Sequence, residues 1–273
     1  WSSDVCSSDL REKLIMSNMR YWYKGKIFTD QPFLSPSLSI QRADGVFESI
    51  LTQNDKIFFF DRHIERMKKA ADKLGILDFD ETSIRAGANE LVKHQQNSEF
   101  NRMRINLYSD GEVYLSIEKT ELTKDLATLT IYPFRKFSSG IMSGIKSTSY
   151  AESAAAVRYA QKQNCTDSLL LNEKEQVVET GYSNFIYKLD EIWYTPTLNS
   201  GCLPGIVREV LVAEDIVKEQ DLSYSNLTKI QSAGLLSSIR LIQLVSAIDT
   251  QQFAYSESDS QFVARTRQLL LTN

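Results

Sequence analysis

Four runs of strand-like residues crowd the stretch from Ser168 to Tyr194, and the segments between them leave room for little more than tight turns. They are Ser168–Asn172, Gln176–Glu179, Asn184–Lys188 and Glu191–Tyr194, with Glu173-Lys-Glu175 and Leu189-Asp190 among the turns. Around them the period is helical or strand-like in longer pieces. Ala151–Gln163 is Ala-rich and reads as a helix. Gly205–Glu219 reads as a helix opened by Pro204 and Gly205. Ile230–Ala233 reads as part of a short helix, Leu241–Ile248 as a strand, and Ser260–Leu271 as a closing helix.

The first half reads differently. Tyr21–Phe28 alternates aromatic and polar residues about a Lys24-Gly25 turn. Ala43–Leu51 and Lys56–Phe60 read as a hairpin around Gln53-Asn54-Asp55. From Asp61 the period becomes helical, with Ile64, Met67, Ala71 and Leu74 on one face and Gly75 as the stop. Glu81–Lys93 is a second helix with the stripe Ile84, Ala88 and Leu91. Arg102–Tyr108 and Glu112–Ile117 are strands about Ser109-Asp-Gly111, and Leu126–Tyr132 is a further strand-like run. Strands with two helices make an α+β pattern. The Ser/Gly-rich stretch Arg135–Gly144 reads as a linker, so the expected division is a small α+β domain over residues 16–136 and a larger domain over 137–273.

Residues 1–15 read as a non-native N-terminal extension: Trp1–Leu10 repeats Ser-Ser-Asp without any period, and Met16 or Met19 is the expected start. There is no basic start followed by an apolar core. The net charge of -4 gives no general attraction to nucleic acid or to an anionic membrane. No apolar run is long enough to span a bilayer. Setting Cys6 aside, Cys165 and Cys202 are too few for a disulfide framework and lack metal spacing, which fits a reducing cytoplasm. His63 and His94 have no ligand partners at metal spacing, and both are expected to face solvent or pack on a helix.

Three features follow one another in order. Lys146 lies in Gly144-Ile-Lys-Ser-Thr148, at the end of the Gly/Ser segment and before a helix. Glu179 ends the strand Gln-Val-Val-Glu. Leu203-Pro-Gly-Ile-Val-Arg208 opens a helix. Each alone is ordinary: a surface lysine, an edge carboxylate, a proline-started helix. Together they are what pyridoxal phosphate asks of a protein. A lysine amine forms a Schiff base, a carboxylate keeps the pyridine nitrogen protonated, and the free N–H groups of Ile206 and Val207 suit a phosphate. Arg66, in Asp61-Arg-His-Ile-Glu-Arg66, is a candidate bidentate phosphate partner, with a solvated face beside Glu65 and Lys69 as the plainer reading. Ser237 and Ser238 are candidate hydroxyl donors.

The chain resembles the fold-type IV pyridoxal-phosphate enzymes, the class IV aminotransferases, from Tyr21 onward. The resemblance rests on Ala43-Asp-Gly-Val-Phe-Glu48, His63-Ile-Glu-Arg66, Gly144-Ile-Lys146, Asp167–Asn172, Glu179 with Ser183-Asn-Phe185, Tyr194-Thr-Pro196 and Leu203-Pro-Gly-Ile206. It implies a two-domain α+β and α/β architecture, with a small N-terminal domain and a larger C-terminal, cofactor-binding domain built on a β-barrel-like sheet with flanking helices. It also implies a homodimer, with the active site between the two domains. Lys146 would carry the Schiff base and the proton, and Glu179 would face the pyridine nitrogen. Arg66, Ile206, Val207, Ser237 and Ser238 would hold the phosphate. Tyr150 and Tyr182 are implied substrate neighbours.

Departures from the family concern the substrate. Val207 stands where Thr is frequent, and Ser109 where many members carry Arg. Arg42, Arg102 and Arg104 are the alternative cations for a substrate carboxylate. The implied activity is amino-group transfer between an amino acid, branched-chain by analogy, and a 2-oxo acid. Aminodeoxychorismate lyase is the runner-up, and a catalytically silent dimer of the same fold is a third reading. The implied setting is cytoplasmic, with small-molecule partners and neither nucleic acid nor membrane.

Overall fold

A computed structural model describes residues 19–32, 37–95 and 98–272. The expected extension over 1–15, with Met16, lies outside them. The chain forms two compact units. One runs to Glu121 and includes Lys146–Ser149; the other holds Leu122–Ile145 and Tyr150 onward.

The first unit is one antiparallel sheet. Strands β1 (Arg20–Tyr23), β2 (Lys26–Phe28), β3 (Gly45–Gln53), β4 (Lys56–Ile57), β5 (Phe100–Tyr108) and β6 (Val113–Thr120) lie in the order β2-β1-β6-β5-β3-β4. A short helix, α1 (Leu38–Gln41), precedes β3 and was not legible in the sequence; Ser37 caps it by accepting the Ile40 N–H. Helix α2 (Phe60–Leu74) packs on β3, and α3 (Glu81–Lys93) packs on β1 and β6. Of the expected stripes, Ile64, Met67 and Ala71 on α2 and Ile84, Ala88 and Leu91 on α3 are buried, while Leu74 is half-buried. Removing each larger side chain from water contributes roughly 1.5–3 kcal/mol. Gly87 permits the close approach of α3, since a Cβ there would lie 2.7 Å from the Trp22 ring. Residues 146–148 run beside the start of β3. Phe47 N–H donates to the Lys146 carbonyl at 2.9 Å, Thr148 N–H donates to that of Gly45 at 2.9 Å, and Val46 bridges to Ser147.

The second unit contains a closed ring of strands. β7 (Ala127–Lys136), β8 (Asp167–Asn172), β9 (Val177–Thr180), β10 (Asn184–Leu189), β13 (Ser232–Ser237) and β14 (Leu241–Ile248) pair in the order β10-β13-β14-β7-β8-β9, and β9 pairs back to β10. This is the barrel-like sheet the resemblance implies. Leu169, Leu171, Phe185, Tyr187, Leu235 and Val245 belong to its apolar core. Parallel pairings of β7 with β8 and with β14 need long connections. Helix α4 (Ala151–Lys162) lies in the first of these and covers β8 through Ala156, which packs with Leu170. β11 (Ile192–Thr195) and β12 (Lys218–Glu219) extend the sheet beyond β10, β15 (Gln251–Gln252) pairs with β14, and helix α6 (Glu257–Thr272) packs on β14.

Two expectations need correction. Helix α5 spans only Ile206–Ala213, because Glu214 caps it and Asp215 takes a left-handed φ of 54°, which Asp tolerates better than most residues. The stretch read as helix over Ile230–Ala233 leads instead into strand β13, after a 3₁₀ turn over Tyr224–Lys229. That strand is buried along nearly its whole length, so it lacks the alternation that marks a half-exposed strand. No helix among the described residues is long and apolar enough to cross a membrane.

Candidate active site

In the first unit, Lys146 stands over the Phe47 ring, its Nζ 4.4 Å from the ring centroid. The Arg104 guanidinium lies 3.7 Å from the same centroid, and its Nε donates to Asn106 Oδ1 at 2.9 Å. One residue along β3, Glu48 is 1 % exposed and collects three donors. Arg66 Nε donates to Oε1 at 2.8 Å, Arg66 Nη2 to Oε2 at 2.5 Å, and His63 Nδ1 lies 2.6 Å from Oε2. His63 and Arg66 are three residues apart on α2 and so share a face.

Burial works to raise the Glu48 carboxyl, but the Arg66 guanidinium and His63 outweigh it and hold it down at about 2. His63 is held below its ordinary value, first by burial, against the pull of Glu48 and with help from the Arg66 and Lys146 cations. A neutral imidazole beside a carboxylate must donate from Nδ1. Arg66 is thus gripped along one edge by a buried carboxylate; the plainer reading of it on a solvated face is corrected. His63 is fully buried, not solvent-facing, whereas His94 is exposed and pairs with Glu90.

The second unit gathers most of the other predicted residues at one set of strand ends. Glu179 pairs across the sheet with Asn184, and Asn184 with Leu236, which places Ser237 and Ser238 just beyond that row. The Glu179 side chain is 10 % exposed. Its Oε1 accepts from Lys136 Nζ, while Oε2 accepts the Leu203 N–H at 2.9 Å and lies 3.5 Å from Asn184 Nδ2. Burial opposes the charge on Lys136, yet Glu179 outweighs it and raises the lysine above its ordinary value. Asn184 Nδ2 also donates to the Leu203 carbonyl at 2.8 Å. The acid therefore fixes the Leu203–Gly205 turn, and the turn aims the start of α5.

That helix start is buried, with Ile206 1 % and Val207 2 % exposed, and no side chain caps it. A cap from position 205 is ruled out, since a Cβ there would fall 1.9 Å from Asn184 Oδ1. Ser237 Oγ accepts the Arg240 N–H at 3.1 Å, which leaves its proton to donate elsewhere. Tyr150 and Tyr182 stack at 5.6 Å between centroids with 6° between planes. Burial, with Glu179 next, pushes the Tyr150 hydroxyl up.

The remaining substrate candidates lie in the first unit. Arg42 is exposed at the end of α1. Ser109 Oγ donates to Asp44 Oδ2 at 2.7 Å, so it offers no cation and adjoins a carboxylate. Arg102 is exposed and pairs with Glu118. Sequence reasoning missed Glu48, His63 as a buried group, Lys136, Asn184 and Arg240. Glu48 and Asn184 stood inside quoted motifs, and the i, i+3 spacing of His63 and Arg66 was a usable signal. Lys136 and Arg240 gave none.

Residues 45–248 match the model of the amino-transferase class IV family. A Rickettsia felis protein named for a suggested branched-chain-amino-acid aminotransferase activity is 25 % identical over 251 residues, covering 84 % of this chain and 86 % of its own length. A Schizosaccharomyces pombe protein named for a suggested aminodeoxychorismate lyase activity is 26 % identical over 205 residues, covering 72 % of this chain and 87 % of its own. Among solved structures, a hypothetical aminotransferase from Mycobacterium tuberculosis in its PLP-bound form aligns with a TM-score of 0.83 at 18 % identity, over 93 % of this chain and 99 % of that one. The shared architecture is that of fold-type IV.

Proposed function

We propose, on the premise that this chain belongs to the class IV aminotransferase family, that it is a pyridoxal-phosphate enzyme moving an amino group between an amino acid and a 2-oxo acid. The cofactor, when bound, supplies an electron sink for the carbon that loses its proton. The residues fit such a group. A buried helix start with no side-chain cap suits a phosphate. A buried carboxylate already paired with Lys136 suits a protonated ring nitrogen.

In this reading Lys146 Nζ would be the amine that anchors the cofactor and, once the incoming substrate amine has displaced it, the base that would move the proton at the substrate carbon. Glu179 holds the proton of the ring nitrogen, and Lys136 positions Glu179. The N–H groups of Ile206 and Val207, the hydroxyls of Ser237 and Ser238 and the guanidinium of Arg66 hold the phosphate. Glu48 positions Arg66. Branched-chain substrates, a homodimer and a cytoplasmic location come with the family likeness.

The observation that carries the proposal is the uncapped, buried start of α5 tied through Leu203 and Asn184 to Glu179. A second reading, elimination of pyruvate from aminodeoxychorismate, uses the same lysine and is favoured by the likeness to the S. pombe protein. The test is a single-turnover screen of the holoprotein against L- and D-amino acids and aminodeoxychorismate, following the cofactor absorbance. Conversion of the cofactor to its amine form by an amino acid supports transfer; pyruvate release without an amino acceptor supports the lyase. Inertness to all of them contradicts both.

A further inference from the structure

Arg240 sits in the turn between β13 and β14, immediately after Ser237 and Ser238. Its backbone N–H is tied to Ser237 Oγ at 3.1 Å, and its Nη1 donates to Ser183 Oγ at 3.3 Å. Ser183 adjoins Asn184, whose amide nitrogen approaches Glu179. The guanidinium is therefore held close to the row of residues assigned above to the cofactor. It is half-buried, and among the described residues it forms no ion pair.

The arginines Arg66, Arg85, Arg135 and Arg208 all grip a carboxylate. A half-buried guanidinium tethered only by a neutral hydroxyl has forgone most of its hydration without a counter-charge. Asp167 feels its charge. That carboxylate is already occupied by the N–H groups of Ser168, Gly181 and Tyr182 and the hydroxyl of Thr180. Tyr182, the residue before Ser183, stacks on Tyr150 and is 44 % exposed.

We infer that Arg240 binds the substrate carboxylate, the group that Ser109 cannot hold because it is committed to Asp44. The inference rests on the proposed function and adds to it the residue that selects carboxylate-bearing substrates. Arg104, stacked on Phe47, is the rival cation.

The test uses the cofactor-loaded protein and pyruvate, the product of the lyase reading and a simple representative of the 2-oxo acids of the transfer reading, with binding followed by calorimetry. Arg240→Gln weakens pyruvate roughly tenfold to a hundredfold, as loss of a charged hydrogen bond does. Arg240→Lys restores part of that, and cofactor affinity is unchanged in both variants. On the unaltered holoprotein, pyruvate slows phenylglyoxal labelling of Arg240, read by mass spectrometry, which needs no variant to fold. The inference is overturned if pyruvate affinity ignores Arg240, if Arg104→Gln alone weakens it, if cofactor affinity falls instead, or if pyruvate gives no protection. A wild-type chain that takes up no cofactor sinks this inference together with the proposed function; loaded protein indifferent to Arg240 sinks this inference alone.

Discussion

Replacing Glu48 by Gln removes the buried charge that two Arg66 donors and His63 share. The folded protein holds this carboxyl at about 2, against an ordinary 4.5. At about 1.4 kcal/mol per decade, the gap corresponds to roughly 3 kcal/mol of stability at neutral pH. Breaking one side of a buried ion pair costs about 3–5 kcal/mol on independent grounds, so the two lines of reasoning agree. The sign follows from the depressed folded value: the contribution is complete above about pH 4.5 and fades as the pH falls towards 2. The deficit of Glu48→Gln relative to wild type therefore narrows, from about 3 kcal/mol at neutral pH to roughly 2 kcal/mol at about pH 3.5. Urea unfolding, read by hydrogen exchange over Phe60–Leu74, measures it in the unit that carries the residue. A deficit below about 0.5 kcal/mol, or one that grows on acidification, refutes the buried-triad account.

Lys136→Met leaves Glu179 buried without its cation; a loss of about 3 kcal/mol is expected in the second unit, with weaker cofactor binding, by calorimetry and absorbance titration. Because the Lys136 value is raised, its contribution is present at neutral pH and lost as alkaline titration proceeds past 10.5, a loss the variant lacks. Gly205→Ala forces Asn184 away from the Leu203 carbonyl, and cofactor affinity falls roughly tenfold at a stability cost of about 1–3 kcal/mol; unchanged affinity would remove the helix start from the phosphate site. Gly87→Ala overpacks α3 against Trp22, costing about 1–3 kcal/mol of stability with no change in cofactor affinity.

Much of the local structure was legible because period and punctuation agreed. α3 runs from Glu81 to Lys93 and β14 from Leu241 to Ile248, as read from the sequence, since each pairs a clear apolar pattern with a polar boundary. β13 was misread because a strand buried on both faces loses its alternation. The length of α5 was overstated because apolar spacing continues through Val217 while Asp215 turns the backbone. Ala127–Lys136, grouped by the sequence with the N-terminal half, is a strand of the barrel; what assigns it there is hydrogen bonding to β8 and β14, partners distant along the chain. The same limit governs the site. Lys146, Glu179 and the turn before α5 could be read in order along one dimension. Pairs such as Lys136 with Glu179, 43 residues apart, or Arg240 with Ser183, 57 apart, exist only once the sheet registers are set.

The central claim is that one lysine among the chain's many amines is the cofactor's attachment point. Borohydride reduction of the pyridoxal-phosphate-loaded protein, followed by proteolysis and mass spectrometry, tests it directly. The account predicts a pyridoxyl-phosphate mass on the peptide bearing Lys146, and its disappearance, with the fold retained, in Lys146→Ala. Label on Lys136 or on another lysine, or none on a protein that has been given the cofactor, contradicts it.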